Sequence, residues 1–287
     1  MGKMNGKGQI GALILFGLII LIGFSFVIYL KNNNVGEADI EKTANAPFDV
    51  APLRSYVQNC IEVTAKNSLI FIGKQGGYYK LKNPSLKDSN FMLPYYLFNN
   101  IDFSPSIKDI EKEISRYIDD NLQLCVKNFE EFKKQGFEIN QHKPKSKAKI
   151  APNSVFFDVN FQIITRKGEN TQKIENFNFA ADNVHLQSIH KASKEITAIQ
   201  YNEPNKLCIS CIYDLMEEND VYINIIDYGN NSLIFTIKDY NITEDIILKS
   251  PFNFTFAIKY EGISCDKLAT IEDPDILQEC VEIRTKI

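Results

Sequence analysis

The chain has 287 residues, 44% of them hydrophobic and 24% charged, with 32 basic and 36 acidic side chains for a net charge of −4. This composition excludes a disordered tail, a collagen and a polytopic transporter, and the acidic balance argues against a nucleic-acid partner. Three histidines and no tryptophan leave little material for a multi-metal centre.

Ile10 to Leu30 is an uncharged run of apolar residues interspersed with Gly, Ser and Tyr. As a helix it covers roughly 30 Å, the thickness of one hydrocarbon core. Lys3 and Lys7 precede the run, Lys31 follows it, and the next charges are Glu37, Asp39 and Glu41. That bias puts the N-terminus inside the cell and residues 32–287 outside. Tyr29-Leu30-Lys31-Asn32 makes a poor signal-peptidase site, so the helix is expected to stay as an anchor in the bilayer.

The basic leader ending in Lys7-Gly8-Gln9, directly before the apolar run, resembles an archaeal class III, type IV prepilin-like signal peptide. The resemblance implies a prepilin peptidase that cuts between Gly8 and Gln9 and leaves the helix in the mature protein. The family often carries Glu five residues after the cut, for subunit assembly, whereas this chain has Leu13. An uncut signal anchor accounts for the same run. Tyr56-Val57-x-x-Cys60, Gly76-Gly77-Tyr78, Asn219-Asp220-Val221 and Asp227-Tyr228-Gly229-Asn230 are similar to pieces of large pilin-like surface proteins of small-genome archaea. That likeness implies a location and other surface proteins as partners, and no chemistry.

The expected organisation is a leader at 1–8, a transmembrane helix at 9–31, a polar tether at 32–52 and an extracytoplasmic domain at 53–287. Within the domain, Leu53, Val57, Cys60, Ile61, Leu69 and Ile72 have helical spacing, with Pro52 in the first turn and Gly73 and Gly76-Gly77 at the end. Tyr78–Phe103 predicts two short extended pieces around Asn83-Pro84 and Lys87-Asp88, their Tyr doublets read as packing. Ser106 with Asp109 resembles a capping box, opening a helix whose stripe runs Ile107, Ile110, Ile114, Ile118, Cys125, Phe129 and Phe132 to a stop at Gly136. The acids between those positions read as a solvated face.

Lys143, Lys145, Lys147 and Lys149 recur every second residue, as on a protected edge strand. Val155, Phe157, Val159, Phe161 and Ile163 alternate with polar neighbours and predict the clearest strand, returning after Lys167-Gly168 along Ile174–Phe179. A helix from Val184 ends at Pro204, and a shorter one covers 206–218. Strands are expected at 221–227, 233–239 and 252–260. Helices and antiparallel strands without βαβ alternation give the class α+β.

Cys60, Cys125, Cys208, Cys211, Cys265 and Cys280 all fall outside on this topology, and an even count in an oxidising compartment reads as three disulfides. Cys60 and Cys125 sit on apolar stripes of two long helices and can face one another. Cys265 and Cys280 bracket a loop with Pro274. Cys208 and Cys211 form a CxxC near a helix start, open to four readings: structural disulfide, redox pair, metal ligands or buried thiols. His185 and His190 do not share a helical face, and His142 lies beside Lys143-Pro144 in a loop. No nucleophile elbow, zinc-protease, phosphate-loop or dinucleotide fingerprint occurs, so no residue is assigned to catalysis, cofactor or metal. Asn230, Asn241 and Asn253 head sequons and are candidate glycan sites. The expectation is a membrane-anchored surface protein with a structural or interaction role. A pilin-like filament subunit and an extracytoplasmic thiol–disulfide enzyme are the alternatives.

Overall fold

A computed structural model describes residues 48–89, 91–204, 206–239 and 252–260. The leader, the apolar run, Asn241, Cys265 and Cys280 lie outside the described residues. Among the described residues no helix is long and apolar enough to cross a membrane.

Helix α1 spans Ala51–Lys74 with Pro52 in its first turn. The described compact unit begins at Phe48. Gly73 does not end the helix. It is buried in the last turn, where a Cβ would lie 2.4 Å from the carbonyl oxygen of Asn253. The stop comes at Gly76 and Gly77, which take positive φ values.

Helix α2, Ile107–Val126, opens on the expected capping box: the Ser106 side chain accepts from the Asp109 N–H, and the Asp109 carboxylate accepts from the Ser106 N–H. It does not run on to Gly136. Lys127, Asn128 and Phe129 all take left-handed φ/ψ, and only a short helix α3, Glu130–Lys134, follows. Each left-handed residue costs about 1–2 kcal/mol. The turn swings Phe129 into the core, where its ring stacks on Phe161 at 6.3 Å and meets Tyr56 edge-on at 6.2 Å. Burial of a Phe side chain, about 1.5–3 kcal/mol, offsets part of that cost. The described residues hold two further long helices, α4 (Leu186–Asn202) and α5 (Ile209–Asn219).

The strands are β1 (Ser85–Lys87), β2 (Met92–Phe98), β3 (Ile101–Asp102), β4 (Glu138–Gln141), β5 (Lys145–Ile150), β6 (Ser154–Lys167), β7 (Asn170–Asp182), β8 (Tyr222–Gly229), β9 (Ser232–Asp239) and β10 (Phe252–Lys259). They form two sheets. In the smaller one, β7 pairs with β6 along its whole length, so β5 and β4 follow one another on the other side of β6. In the larger one the order is β1-β2-β10-β9-β8, with β3 on β2. β2 and β10 run parallel, with Tyr95 opposite Ala257, so the domain is α+β with one mixed sheet rather than antiparallel strands throughout.

The β6 alternation holds: Val155, Phe157, Val159, Phe161 and Ile163 are buried, while Phe156, Asp158 and Asn160 face out. One core joins both sheets to the helices. Tyr96, Phe256 and Phe235 stack in series at 4.2 and 5.5 Å. Both rings of the second Tyr doublet pack, as expected, but on opposite faces of the sheet. Tyr96 enters this core, and Tyr95 is buried on the opposite face with Leu86, Leu93, Ile234 and Ala257.

Candidate functional site

Cys60 and Cys125 are bridged, with Cα atoms 5.6 Å apart and a sequence separation of 65. The bridge crosses from α1 to α2 because both cysteines lie where the two helices pack. Tyr56, one turn before Cys60, donates its hydroxyl to the Cys125 carbonyl at 3.1 Å and packs on Phe129 and Phe132. Thr64, one turn after, donates to the Cys60 carbonyl at 2.7 Å. By the chain-entropy account a closure of this size stabilises the fold by roughly 4 kcal/mol at most.

The bridged helices also close both edges of the smaller sheet. β5 presents every second N–H away from β6. The amides of Ile150, Ala148 and Ser146 donate to Glu111 Oε1, Ser115 Oγ and Asp119 Oδ1 at 2.9, 2.9 and 2.7 Å. Those acceptors stand at i, i+4 and i+8 on α2, one face of a helix running beside the strand. On the far edge, Arg54 and Gln58 of α1 donate to the carbonyls of Asn176 and Asn178 in β7 at 2.8 and 3.0 Å. Acceptors meet free N–H groups on one side, and donors meet free carbonyls on the other. Lys145, Lys147 and Lys149 point to solvent, as the alternation predicts.

The acids of α2 are thus not simply a solvated face. Glu111 and Asp119 cap the β5 edge. Glu113 is buried, accepts the N–H groups of Tyr79 and Lys80, and pairs with Arg116 at 2.5 Å. Burial pushes the Asp119 carboxyl above the ordinary carboxylate range, against the opposing pull of its Ser146 hydrogen bonds. The four-residue spacing of Glu111, Ser115 and Asp119, next to a strand of alternating lysines, was the available signal for this role.

Cys208 and Cys211 form the second disulfide, with Cα atoms 5.3 Å apart. Cys208 is the N-cap of α5, and its Sγ accepts the Cys211 N–H at 3.3 Å. The loop before it is held by buried Gln200, whose Nε2 donates to the carbonyls of Glu203 and Lys206 at 2.8 Å each.

The remaining candidates are dispersed. His190 Nε2 donates to the Pro105 carbonyl at 2.8 Å, which fixes the tautomer, and burial pushes its pKa down. His185 Nδ1 meets the buried carboxylate of Asp239 at 2.8 Å. The His142 amide donates to the Gln162 carbonyl. Among the described residues no group of three His, Cys, Asp or Glu side chains could hold a metal ion. The Tyr78 hydroxyl is pushed up to about 12 by burial, with nearby carboxylates adding to the rise, and it donates to the Phe103 carbonyl. Asn230 is exposed at the β8–β9 turn, while Asn253 is half-buried in the central strand β10 with its Oδ1 enclosed. Comparisons with protein-family models, with characterised proteins and with solved structures find no match.

Proposed function

We propose that this is a single-pass, membrane-anchored cell-surface protein whose α+β domain has a structural or interaction role. The observation that carries the reading is the Cys60–Cys125 bridge between α1, the first described helix of the chain, and α2. Disulfides of this kind persist in oxidising compartments. The lysines around the run favour a cytoplasmic N-terminus, so both features agree on an outside domain. Held to α2, to the β7 edge and, through Gly73, to β10, α1 carries any pull on the anchor into both sheets.

In this account a prepilin-type peptidase removes residues 1–8 between Gly8 and Gln9. The lasting partners are the lipid bilayer and other surface proteins. With Leu13 where filament subunits often carry Glu, the processed chain is an anchored surface protein rather than a pilus subunit. Protease treatment of intact cells tests the location: release of fragments from 48–287 is expected, and complete protection of that region would contradict it. N-terminal sequencing tests the cut, with Gln9 as the expected first residue. Filaments containing this chain in electron micrographs of sheared surfaces would favour the pilus reading.

A further inference from the structure

We propose that Cys208 and Cys211 are a thiol–disulfide exchange site for protein dithiols and disulfides, separate in role from the structural Cys60–Cys125 bridge. The inference rests on the start of α5 and stands independently of the membrane anchor.

The two bridges differ in the burial of one end, in the length of chain they close and in their place in the helix. Cys60 is buried and Cys125 partly buried where two long helices pack, and their bridge closes a separation of 65 residues. Cys208 and Cys211 are only partly buried, Ser210 between them is exposed, and their separation is 3. Opening the short closure frees little chain entropy, so it can open without unfolding the domain. α5 stays docked through Ile212 and Leu215, both buried, and Gln200 holds the approach loop whether or not the bridge is closed.

The geometry also supplies a stabilised thiolate. The first N–H groups of a helix have no partner within it, and the N-terminus carries partial positive charge. Here the Cys211 N–H points at Cys208 Sγ, and Ser210 Oγ lies 3.6 Å from the same sulfur. Once the bridge is open, a Cys208 thiolate facing these donors is a good leaving group.

The exchange balances without an outside oxidant. A thiolate of the partner protein attacks Cys208 Sγ. The Cys208–Cys211 bond breaks, a mixed disulfide forms, and Cys211 leaves as a thiolate that takes up a proton. The partner's second thiolate then attacks its own sulfur in the mixed disulfide and displaces Cys208. The partner gains one disulfide and this chain gains one dithiol. The same steps in reverse reduce a partner disulfide, so the pair passes a disulfide from one protein to another.

The test uses the full chain in detergent. In graded glutathione buffers, quenched with iodoacetamide and mapped by mass spectrometry, the 208–211 pair should open at a poise where the 60–125 bridge stays closed, because loss of the longer closure costs the fold far more stability. Cys211→Ser leaves Cys208 alone, and Cys208→Ser leaves Cys211 alone with serine as a competent N-cap. With insulin as the protein disulfide, Cys208 in the first variant should form the mixed disulfide about tenfold faster at neutral pH than Cys211 in the second. Its alkylation midpoint should fall below the ordinary thiol value of about 8.5. Opening of both bridges together, or equal capture by the two variants with ordinary thiol midpoints, would overturn the proposal.

Discussion

Ser115 Oγ accepts the amide proton of Ala148 at 2.9 Å while donating its own to the Glu111 carbonyl at 2.7 Å. The hydroxyl thus spends its donor inside α2 and offers its lone pair to β5. Ser115→Ala leaves the Ala148 N–H without a partner beside a packed helix, which costs about 1–3 kcal/mol. Denaturant unfolding should show a lower midpoint at unchanged slope, and Ser115→Thr, which keeps the hydroxyl, should recover most of the loss. An unaltered midpoint in Ser115→Ala would mean that the β5 edge does not need its helix partner.

Asp119 and Asp109 predict opposite dependences on pH. Burial raises Asp119 above its unfolded value, so the folded state holds that proton more tightly. Its contribution is complete below the unfolded pKa of about 3.9 and is lost as pH rises through the folded value. Asp109 is lowered, first by its Ser106 hydrogen bond, so its contribution is present above that unfolded value and is lost as pH falls through the folded one. Asp119→Asn keeps an acceptor for Ser146 and should gain on the parent chain as pH rises from acid to neutral. Asp109→Asn should fall behind over the same range. Stability curves for both variants at stepped pH check the two signs.

Gly73→Ala sets helix propensity against packing. Alanine favours a helix interior over glycine by about 1 kcal/mol. The added Cβ, however, would stand 2.4 Å from the Asn253 carbonyl oxygen and 2.9 Å from the Phe252 ring. A backbone atom in a central strand cannot step aside, and overpacking of this kind costs about 1–3 kcal/mol. The expected outcome is net destabilisation on thermal unfolding, with packing outweighing propensity.

The sequons at Asn230 and Asn253 should behave differently. Asn230 is exposed at a turn, while β10 is flanked by β9 and β2 and encloses the Asn253 Oδ1. Glycopeptide mapping of protein from its native cells should find a glycan at Asn230 and none at Asn253. Full occupancy of Asn253 would contradict the packing of β10.

Legibility in the sequence followed the range of the interactions. The β6 alternation, the Ser106 capping box and the Cys60–Cys125 pairing are written in local periodicity, because each depends on which face of one element is apolar. The parallel pairing of β2 with β10 joins residues about 160 positions apart in the chain and leaves no local trace. The break at Lys127–Phe129 lacks the glycine that announces a left-handed turn, since burial of Phe129 is what stabilises it. Glu111 and Asp119 looked like solvent-facing acids because a carboxylate that caps a strand edge has the same helical spacing as one that faces water. The CxxC was visible, but the aim of the Cys211 N–H at Cys208 Sγ was not.

Non-reducing peptide mapping of the protein taken from its native cells, with free thiols blocked at lysis, tests the central claim most directly. An outside domain gripped through α1 predicts one linked peptide containing Cys60 and Cys125 and no free thiol at either residue. Recovery of both as blocked free thiols, or of Cys60 joined to Cys208, Cys211, Cys265 or Cys280, would contradict the account.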